Sequence, residues 1–377
     1  MIFTFLLIIL SLIWQNDAAT HFAAAQRCEV AGNYTCAERE YEQVIQSDPR
    51  SAVAFNNLGI VRNRLSKPQE AITAFTRAAE LDPKLLGAHL NLGITYFRLQ
   101  RYKEAEKPLR RALAIQSNNS QASQLLALTL FAQGRNEEVA QLTEQLLSTQ
   151  SDNIALLEVA GRAYIKLHRY KDAVQVLEKL VSLQPKNAEA HLLLGEARDN
   201  NFDKEGAIQE FKLAIEASGL TPLPDAHFEL GYVLWKLQRF DDAESEFQKE
   251  LERDSTHAPS TYYLGNIALE RGDWSRALPL LEKASGAIPE SFSVHYDFGK
   301  ALLQAGQAER AIEEFKKAID LNPKDSTVHY QLGQVFKRLK REDEARREFA
   351  KARELSEAER REMEKKVQSN QPRNERP

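Results

Sequence analysis

Six of the eight histidines recur at one position of a fixed spacing, which makes them the first candidates for chemistry. Imidazole is a common metal ligand and general base. Equivalent residues of neighbouring packed helices lie on axes about 8–10 Å apart, so these histidines are poorly placed to share one ion. We therefore predict a structural role for them at helix–helix contacts, and no metal site. The six are His21, His89, His191, His227, His295 and His329.

Other signatures of catalysis are missing from the sequence. It contains no GxGxxG, P-loop, HExxH or GxSxG motif. His168 and His257 fall outside the histidine spacing, in turn-like segments. The formal charge of −4 and the pI near 6.1 leave no basic excess to neutralise a phosphate backbone. We predict a protein that is not an enzyme, needs no cofactor and does not bind nucleic acid.

The two cysteines, Cys28 and Cys36, do not have a metal-ligand spacing. Two interpretations stay open. If the protein is exported, the pair could form a disulfide that closes a short loop, worth about 2–3 kcal/mol in the chain-entropy model. Alternatively, Cys28 is a small buried core residue.

The histidines share their spacing with the whole chain. NLGI occurs at residues 57–60 and again at 91–94, an offset of 34 residues. In a 34-residue frame that starts at Ala18, ten units run to about residue 359, with two extra residues near Gly219–Pro224. The histidines occupy the fourth place. Apolar residues at helical spacing predict two amphipathic helices in each unit, and such pairs bury their apolar faces only by stacking.

Four further places carry the repeat. The eighth is Gly in most units, the twentieth is Ala, the twenty-fourth is large, and Pro often stands at the thirty-second. The small residues let the two helices approach closely, and we expect the large residue to fill the groove between units. The glycines are Gly59, Gly93, Gly161, Gly195, Gly231, Gly265, Gly299 and Gly333.

This pattern resembles the tetratricopeptide repeat family over nearly the whole chain. The resemblance implies an all-α fold, a right-handed superhelical α-solenoid of antiparallel helix pairs. It also implies that the first helices line a concave groove, which holds extended peptides or partner helices. The family's first-helix Trp at the fourth place is absent, and the fourth unit, 120–153, is the weakest match because it lacks the Gly, the Ala and the Pro.

The resemblance places Asn57 and Asn91 at the sixth place, in the groove. They resemble an asparagine ladder by which some family members hold a peptide backbone, since one amide both donates and accepts. The ladder stops after two units, and the family's clamp for a terminal carboxylate is not matched.

Aromatic residues occupy the fifth place in the last four units: Phe228, Tyr262, Tyr296 and Tyr330. Tyr232, Trp235 and Tyr263 lie on the same predicted face. One interpretation is packing between neighbours; the other is a partner-binding stripe, because aromatic residues offer large contact area with few rotors to freeze.

The ends of the chain differ from the repeats. Residues 1–19 begin with about thirteen apolar residues and no charge before Asp17, which suits a signal peptide or an N-terminal anchor although no Lys or Arg precedes the apolar run. We expect an exported protein, periplasmic or secreted, with membrane contact only through residues 1–19 if they stay uncleaved.

At the other end, Ser356–Glu359 is a capping-box sequence that predicts a new helix. We expect Met363 and Val367 on this helix to cover the last unit. The predicted organisation is therefore a solenoid over 20–359 and a capping helix with a disordered tail over 360–377.

These features predict a non-catalytic scaffold that binds a protein or peptide partner in its groove, is exported and aids assembly of an envelope complex. Two alternatives stay open. One is a subunit of an enzyme or transport complex with an unrecognised site. The other is a self-assembling structural protein, because an open solenoid end can stack on a copy of itself.

Overall fold

The structure is a computed structural model that describes residues 17–219 and 223–369. Over these residues the chain forms twenty α-helices and no strand, which confirms the predicted all-α class of stacked antiparallel helix pairs. The chain divides into two compact units, residues 1–202 and 203–377. Each unit is a stack of helix pairs with its own buried apolar core.

The first unit holds α1 to α11. They are α1 (17–30), α2 (Tyr34–Ser47), α3 (Ala52–Arg64), α4 (Pro68–Leu81), α5 (Leu86–Arg98), α6 (Tyr102–Ile115), α7 (Ser120–Ala132), α8 (Asn136–Leu147), α9 (Ile154–Lys166), α10 (Tyr170–Leu183) and α11 (Ala188–Asn200).

The second unit holds α12 to α20. They are α12 (Lys204–Ser218), α13 (Ala226–Lys236), α14 (Phe240–Arg253), α15 (Ala258–Glu270), α16 (Trp274–Ala287), α17 (Phe292–Gln304), α18 (Ala308–Leu321), α19 (Ser326–Arg338) and α20 (Glu342–Ser369).

The first helix of every repeat ends at a left-handed residue at the fifteenth place. At Ser66, φ is +59°, the amide of Ser66 donates to the Asn63 carbonyl and the amide of Lys67 donates to the Arg62 carbonyl. These two bonds are the Schellman pattern that satisfies the last carbonyls of a helix. Only four of the ten residues are glycine. The ten are Gly32, Ser66, Gln100, Gly134, His168, Phe202, Gln238, Gly272, Gly306 and Lys340.

Most first helices begin at a polar side chain that accepts from the backbone. Asn187 Oδ1 accepts from the amide of Ala190 at 3.0 Å, and Asn119 Oδ1 accepts from that of Ala122 at 2.9 Å. Such caps satisfy donors that the first turn leaves unpaired. The length of the first helix is thus set by a cap at one end and a left-handed residue at the other.

The eighth-place glycine contacts the large residue of its own repeat. A methyl group added at Gly59 would lie 2.5 Å from a ring carbon of Phe75, and one at Gly299 would lie 2.7 Å from a ring carbon of Phe315. The twenty-fourth residue thus packs against the glycine of its own repeat as well as between units, where the Phe247 ring stacks on that of Tyr263 in the next repeat at 5.4 Å. Its ring or branched end lies directly over the glycine of the partner helix in the same pair.

The weakly matching fourth repeat keeps the same helix pair with a different contact. Its eighth-place residue is Ala127 and its twenty-fourth is Thr143, and both are fully buried. The Thr143 hydroxyl donates to the Val139 carbonyl at 2.8 Å within its own helix. Ala127 is larger than the usual glycine, and Thr143 is smaller than the usual Phe or Leu, so the two changes offset each other.

The two ends need one correction. The capping-box sequence Ser356–Glu359 starts no new helix, because α20 runs unbroken through it from Glu342 to Ser369. Met363 is 70% exposed and covers nothing. The helix continues because no breaker interrupts it and successive turns pair opposite charges, as in Arg353–Glu357 and Arg360–Glu364.

Some predictions fall outside the described residues. These are the apolar segment 1–16, the side chain of Val367 and the tail 370–377. Ala18 and Ala19, the last residues of the predicted signal peptide or anchor, lie in the first turn of α1. Among the described helices, none combines the length and the apolar character that a membrane crossing requires.

Candidate partner-binding site

Five predicted aromatic residues form one cluster on α13 and α15, here called the aromatic cluster: Phe228, Tyr232, Trp235, Tyr262 and Tyr263. Tyr263 lies at its centre, with its ring centroid 4.9 Å from those of Trp235 and Tyr262 and 5.3 Å from that of Tyr232. Phe228 stacks on Tyr232 at 6.0 Å. All five are half-buried, so each keeps part of its ring accessible.

Lys236 and Glu250 flank the aromatic cluster. The Lys236 Nζ lies 3.9 Å from the centroid of the Tyr232 ring, a cation–π distance. The Glu250 carboxylate is fully buried, pairs with Arg253 and accepts from the amide of Phe228 at 3.4 Å. This bond compensates for Asp225, which precedes α13 at φ +63° and provides no side-chain cap.

A buried polar network supports the cluster from below. Trp235 Nε1 donates to Asn266 Oδ1 at 2.8 Å, and Asn266 Nδ2 donates to Asp297 Oδ2 at 2.8 Å. The Tyr262 hydroxyl donates to the same Asp297 oxygen at 2.9 Å. The network therefore fixes the edges of two cluster rings through side chains from three successive first helices.

Asp297 is only 6% exposed, and its charge is costly in this position. Burial raises the pKa of its carboxyl, although the Asn266 amide, Lys300 and the Tyr262 hydroxyl oppose the rise. Lys300 Nζ lies 3.7 Å from Asp297 Oδ1, too far for a hydrogen bond. Burial and the Asp297 carboxylate likewise raise the pKa of the Tyr262 hydroxyl.

Tyr296 and Tyr330 lie apart from the aromatic cluster. Tyr296 packs against Phe292 at 5.7 Å, and Tyr330 packs against Phe349 at 5.6 Å between ring centroids. Both line a cavity of about 740 Å³ formed with α19 and α20, here called the end cavity. Tyr330 is 50% exposed. The predicted stripe is thus two surfaces.

Asn57 and Asn91 belong to a hydrogen-bonded chain in the first unit. Asn91 Nδ2 donates to Asn56 Oδ1 at 3.1 Å, and Asn56 Nδ2 donates to Asn57 Oδ1 at 3.2 Å. Asn57 Nδ2 in turn contacts the Tyr41 hydroxyl at 3.2 Å, which donates to Glu29. Each asparagine already uses part of its amide internally, so a peptide backbone could engage only the remaining sites.

Four of the fourth-place histidines pair with a glutamate at the twenty-third place of the same repeat. The Nδ1–Oε2 distances are 2.6–2.7 Å, and each pair ties the first helix of a repeat to the second. The pairs are His21–Glu40, His227–Glu246, His295–Glu314 and His329–Glu348. In the described residues, no group of three or more His, Cys, Asp or Glu side chains is placed to hold a metal ion.

Cys28 and Cys36 are joined by a disulfide, and no free cysteine remains. The bond connects the last turn of α1 to the first turn of α2. It pins the first helix pair across its turn, next to the half-buried ring of Phe22 and the fully buried ring of Tyr41, which meet edge to face at 5.6 Å.

Comparison with models of known families identifies the family to which this architecture belongs. The family model of the cilia and flagella-associated protein 70 C-terminal domain, a tetratricopeptide repeat model, matches residues 13–222, more than half of the chain. Models of single tetratricopeptide repeats match residues 228–292, 299–340 and 326–359. The chain belongs to the tetratricopeptide repeat (TPR) family. No curated protein sequence matches it.

Several solved TPR structures are similar in fold. The Cut9–Hcn1 hetero-tetramer of the APC/C is 14% identical with a TM-score of 0.50, over 90% of this chain and 73% of that one. MamA from Desulfovibrio magneticus RS-1 is 26% identical with a TM-score of 0.42, over 46% and 96%. YrrB, described as a TPR protein with an unusual peptide-binding site, is 15% identical with a TM-score of 0.45, over 53% and 97%.

The TPR frame explains which residues the sequence reasoning missed. Asn266 and Asp297 stand at the ninth and sixth places of different repeats, so no single column of the frame contains both. The glutamate partners were detectable. Every repeat with His at the fourth place has Glu nineteen residues later, except the third repeat, where Pro108 follows His89.

Proposed function

We propose that this TPR protein is a non-catalytic scaffold that binds a helix or extended segment of a protein partner through the second unit. The end cavity carries the proposal. In the ninth repeat, Phe315 and Ala318 of the second helix are fully buried, and the following first helix α19 packs next to them. In the last repeat, the equivalent Phe349 is only half-buried and lines the cavity with Tyr330.

The aromatic cluster on α13 and α15 offers a second surface for the partner. Partly exposed Tyr and Trp rings give contact area at low entropic cost, and the hydroxyl and indole groups bond to polar neighbours. Because Asp297 and Asn266 hold Trp235 and Tyr262, those rings are pre-organised before a partner arrives.

A double variant of the end cavity, Tyr330→Ala with Gln334→Ala, tests the proposal. Both side chains lie in the cavity, and Gln334 Nε2 donates only to the Tyr330 hydroxyl, at 2.9 Å, among the bonds described. We expect unchanged helix content and loss of partners that the parent chain captures from its host. The matched control is Phe202→Ala, which removes a ring that is 90% exposed. Equal capture by parent and double variant would contradict the proposal.

We further propose that the protein is exported and aids assembly of an envelope complex. The apolar segment before α1 and the Cys28–Cys36 disulfide support this, because disulfides persist in oxidising compartments. Residues 1–30 fused to a reporter active only outside the cytoplasm should give signal. Thiol titration of the denatured, unreduced protein should find no free thiol; two thiols would contradict export.

A self-assembling structural protein is the second candidate, favoured by the same uncovered end of the last repeat. If α19 and α20 receive a helix of another copy, the mass in solution should exceed that of one chain and should fall in Tyr330→Ala with Gln334→Ala. A monomeric mass for the parent chain would exclude this candidate.

A further inference from the structure

A second cavity, of about 870 Å³, lies in the first unit and is lined by residues of α4, α5 and α6. We call it the outer cavity. Its apolar part includes Leu92, Tyr96 and Pro108, and its basic part includes Lys103, Lys107 and Arg111. The three basic side chains are exposed, whereas Leu92 and Pro108 are buried. The cavity therefore combines an apolar interior with a basic rim.

The acidic side chains of the outer cavity do not neutralise this rim. Glu104 pairs with Arg101 at 2.9 Å and Glu80 pairs with Arg77 at 3.0 Å. Neither of these arginines lines the cavity. The fourth basic residue of the rim, Arg110, pairs with Glu106 at 2.8 Å.

Three cations remain for a ligand. Within the described part of the chain, neither Lys103 nor Lys107 forms an ion pair with a carboxylate. Arg111 Nε donates to the carbonyl of Pro83 at 3.3 Å, which leaves its charge uncompensated. Exposed cations grouped within one cavity create a field that favours an anionic partner.

The repeat that forms this cavity lacks the His–Glu pair, and His89 and Pro108 both line the cavity. Pro108 stands where the five other repeats with a fourth-place histidine have glutamate. His89 Nε2 donates to the Pro83 carbonyl at 3.1 Å, as His295 Nε2 does to the Pro289 carbonyl, but the Nδ1 side of His89 faces no glutamate of its repeat. Burial lowers the pKa of His89, with Arg111 adding to the effect and the Pro83 bond opposing it, so the ring is neutral at pH 7. The positive charge is thus that of the lysines and Arg111.

We propose that the outer cavity binds an acidic segment of a protein partner. One apolar side chain of that segment lies against Leu92 and Tyr96, and carboxylates on either side face Lys103, Lys107 and Arg111. A flat anionic surface could reach the lysines but not the apolar interior, so the concave shape favours a peptide. The site lies in residues 1–202, whereas the surfaces of the proposed function lie in residues 203–369, so either can fail alone.

The test uses the full chain and a fluorescent peptide, Glu-Glu-Phe-Glu-Glu. We expect binding that weakens as NaCl rises from about 50 to about 500 mM, because salt screens exposed charges. We expect Lys103→Glu with Lys107→Glu to weaken binding by about tenfold or more, since two attractions become repulsions. Thr76→Trp, which fills the cavity from an exposed position, should weaken it as well.

The matched control is Lys171→Glu with Lys186→Glu. These exposed lysines lie in the same unit outside the cavity, and the change in net charge is the same. It should alter the affinity by less than about twofold, as distant surface charges do. Binding of Glu-Glu-Ser-Glu-Glu or Lys-Lys-Phe-Lys-Lys as tight as that of the first peptide would overturn the proposal.

Two further outcomes would also reject it. One is the absence of binding by the parent chain up to about 1 mM peptide, the weak limit of a specific contact. The other is binding of phosphatidylglycerol vesicles, lost in the double lysine variant, without peptide binding; the rim would then be a membrane contact.

Discussion

The Nδ1 atom of His295 lies 2.6 Å from Oε2 of Glu314, and both side chains are buried. His295 Nε2 also donates to the Pro289 carbonyl at 2.8 Å. One imidazole therefore joins both helices of the ninth repeat to the turn before it. In the second repeat, the same two places are occupied by the apolar residues Phe55 and Ala74.

This pair predicts a non-additive double-mutant cycle. Glu314→Ala should cost about 1–3 kcal/mol, because it leaves a buried ring nitrogen unpaired. His295→Phe with Glu314→Ala should cost less than the sum of the two single changes, because it reproduces the apolar pair of the second repeat. Hydrogen exchange of α17 and α18 amides measures the local free energy of unfolding. Strictly additive costs would mean that the contact contributes nothing of its own.

The glycine contact predicts opposite signs for two Gly→Ala changes. Gly299→Ala places a methyl group 2.7 Å from the Phe315 ring and should cost about 1–3 kcal/mol through overpacking. Gly286→Ala, in α16 with no atom within 4 Å of the new methyl, should stabilise by about 0.5–1 kcal/mol through helix propensity. Thermal melting of both variants is the measurement. A stabilising Gly299→Ala would show that Phe315 can move away.

The left-handed fifteenth place predicts a stabilising glycine. Gln100 has φ +57° and is exposed, so its conformation is strained without a compensating contact. Gln100→Gly should relieve about 1–2 kcal/mol of strain, less about 0.5–1 kcal/mol of added chain entropy in the unfolded state. The reverse change, Gly134→Ala at φ +72°, should destabilise. Denaturant midpoints compare the two, and a rise for Gly134→Ala would refute the assignment.

The buried Asp297 carboxyl leads us to expect a pH-dependent difference in stability between the parent and Asp297→Asn. Its folded-state pKa is raised above the ordinary value of 3.8, so the native state binds the proton more tightly than the unfolded state. The stability contributed by this group is therefore full below pH 3.8 and falls as pH rises through the folded pKa. The asparagine side chain of Asp297→Asn still accepts from Tyr262 and Asn266 but does not titrate. The free energy of unfolding of this variant should therefore increase relative to that of the parent as pH rises through the folded pKa of Asp297.

Chemical denaturation of both proteins across pH 3 to pH 8 measures the difference in their free energies of unfolding. Because all other acids are common to both proteins, the change of this gap with pH reports on Asp297 alone. A constant gap would show that the Asp297 carboxyl titrates in the same way folded and unfolded. A second readout is tryptophan fluorescence, because Trp235 lies at the other end of the same network.

The sequence predicted the repeat, its two helices and the small residues because these recur in fixed columns of the frame. It did not predict the left-handed fifteenth place, where residues as different as Gly272, Lys340 and Phe202 adopt one conformation. There the backbone is set by the helix end rather than by the side chain. Glycine is enriched at this place, but the six other residues obscure the preference in the sequence.

The candidate sites depend on relations that lie across the columns. Trp235, Asn266 and Asp297 come from three repeats and three different places, so only stacking brings them together. The outer cavity is lined by residues of three helices, and Pro108 stands in it at a place where five other repeats have glutamate. Contacts of this kind are recognised only in the three-dimensional structure, whereas the aromatic residues themselves could be identified as candidates from the sequence.

The contacts that define each repeat lie within it. The residues of a glycine–ring contact, such as Gly59 and Phe75, are 16 positions apart, and those of a His–Glu pair are 19 apart. A gene duplication or deletion of 34 codons with breakpoints between repeats would leave these contacts whole. Breakpoints between residues 235 and 297 would, however, separate the partners of the Trp235–Asn266–Asp297 network, which are 31 positions apart in each step. The number of repeats could thus change at little cost to folding, while a change inside residues 235–297 would disrupt the network under the proposed binding surface.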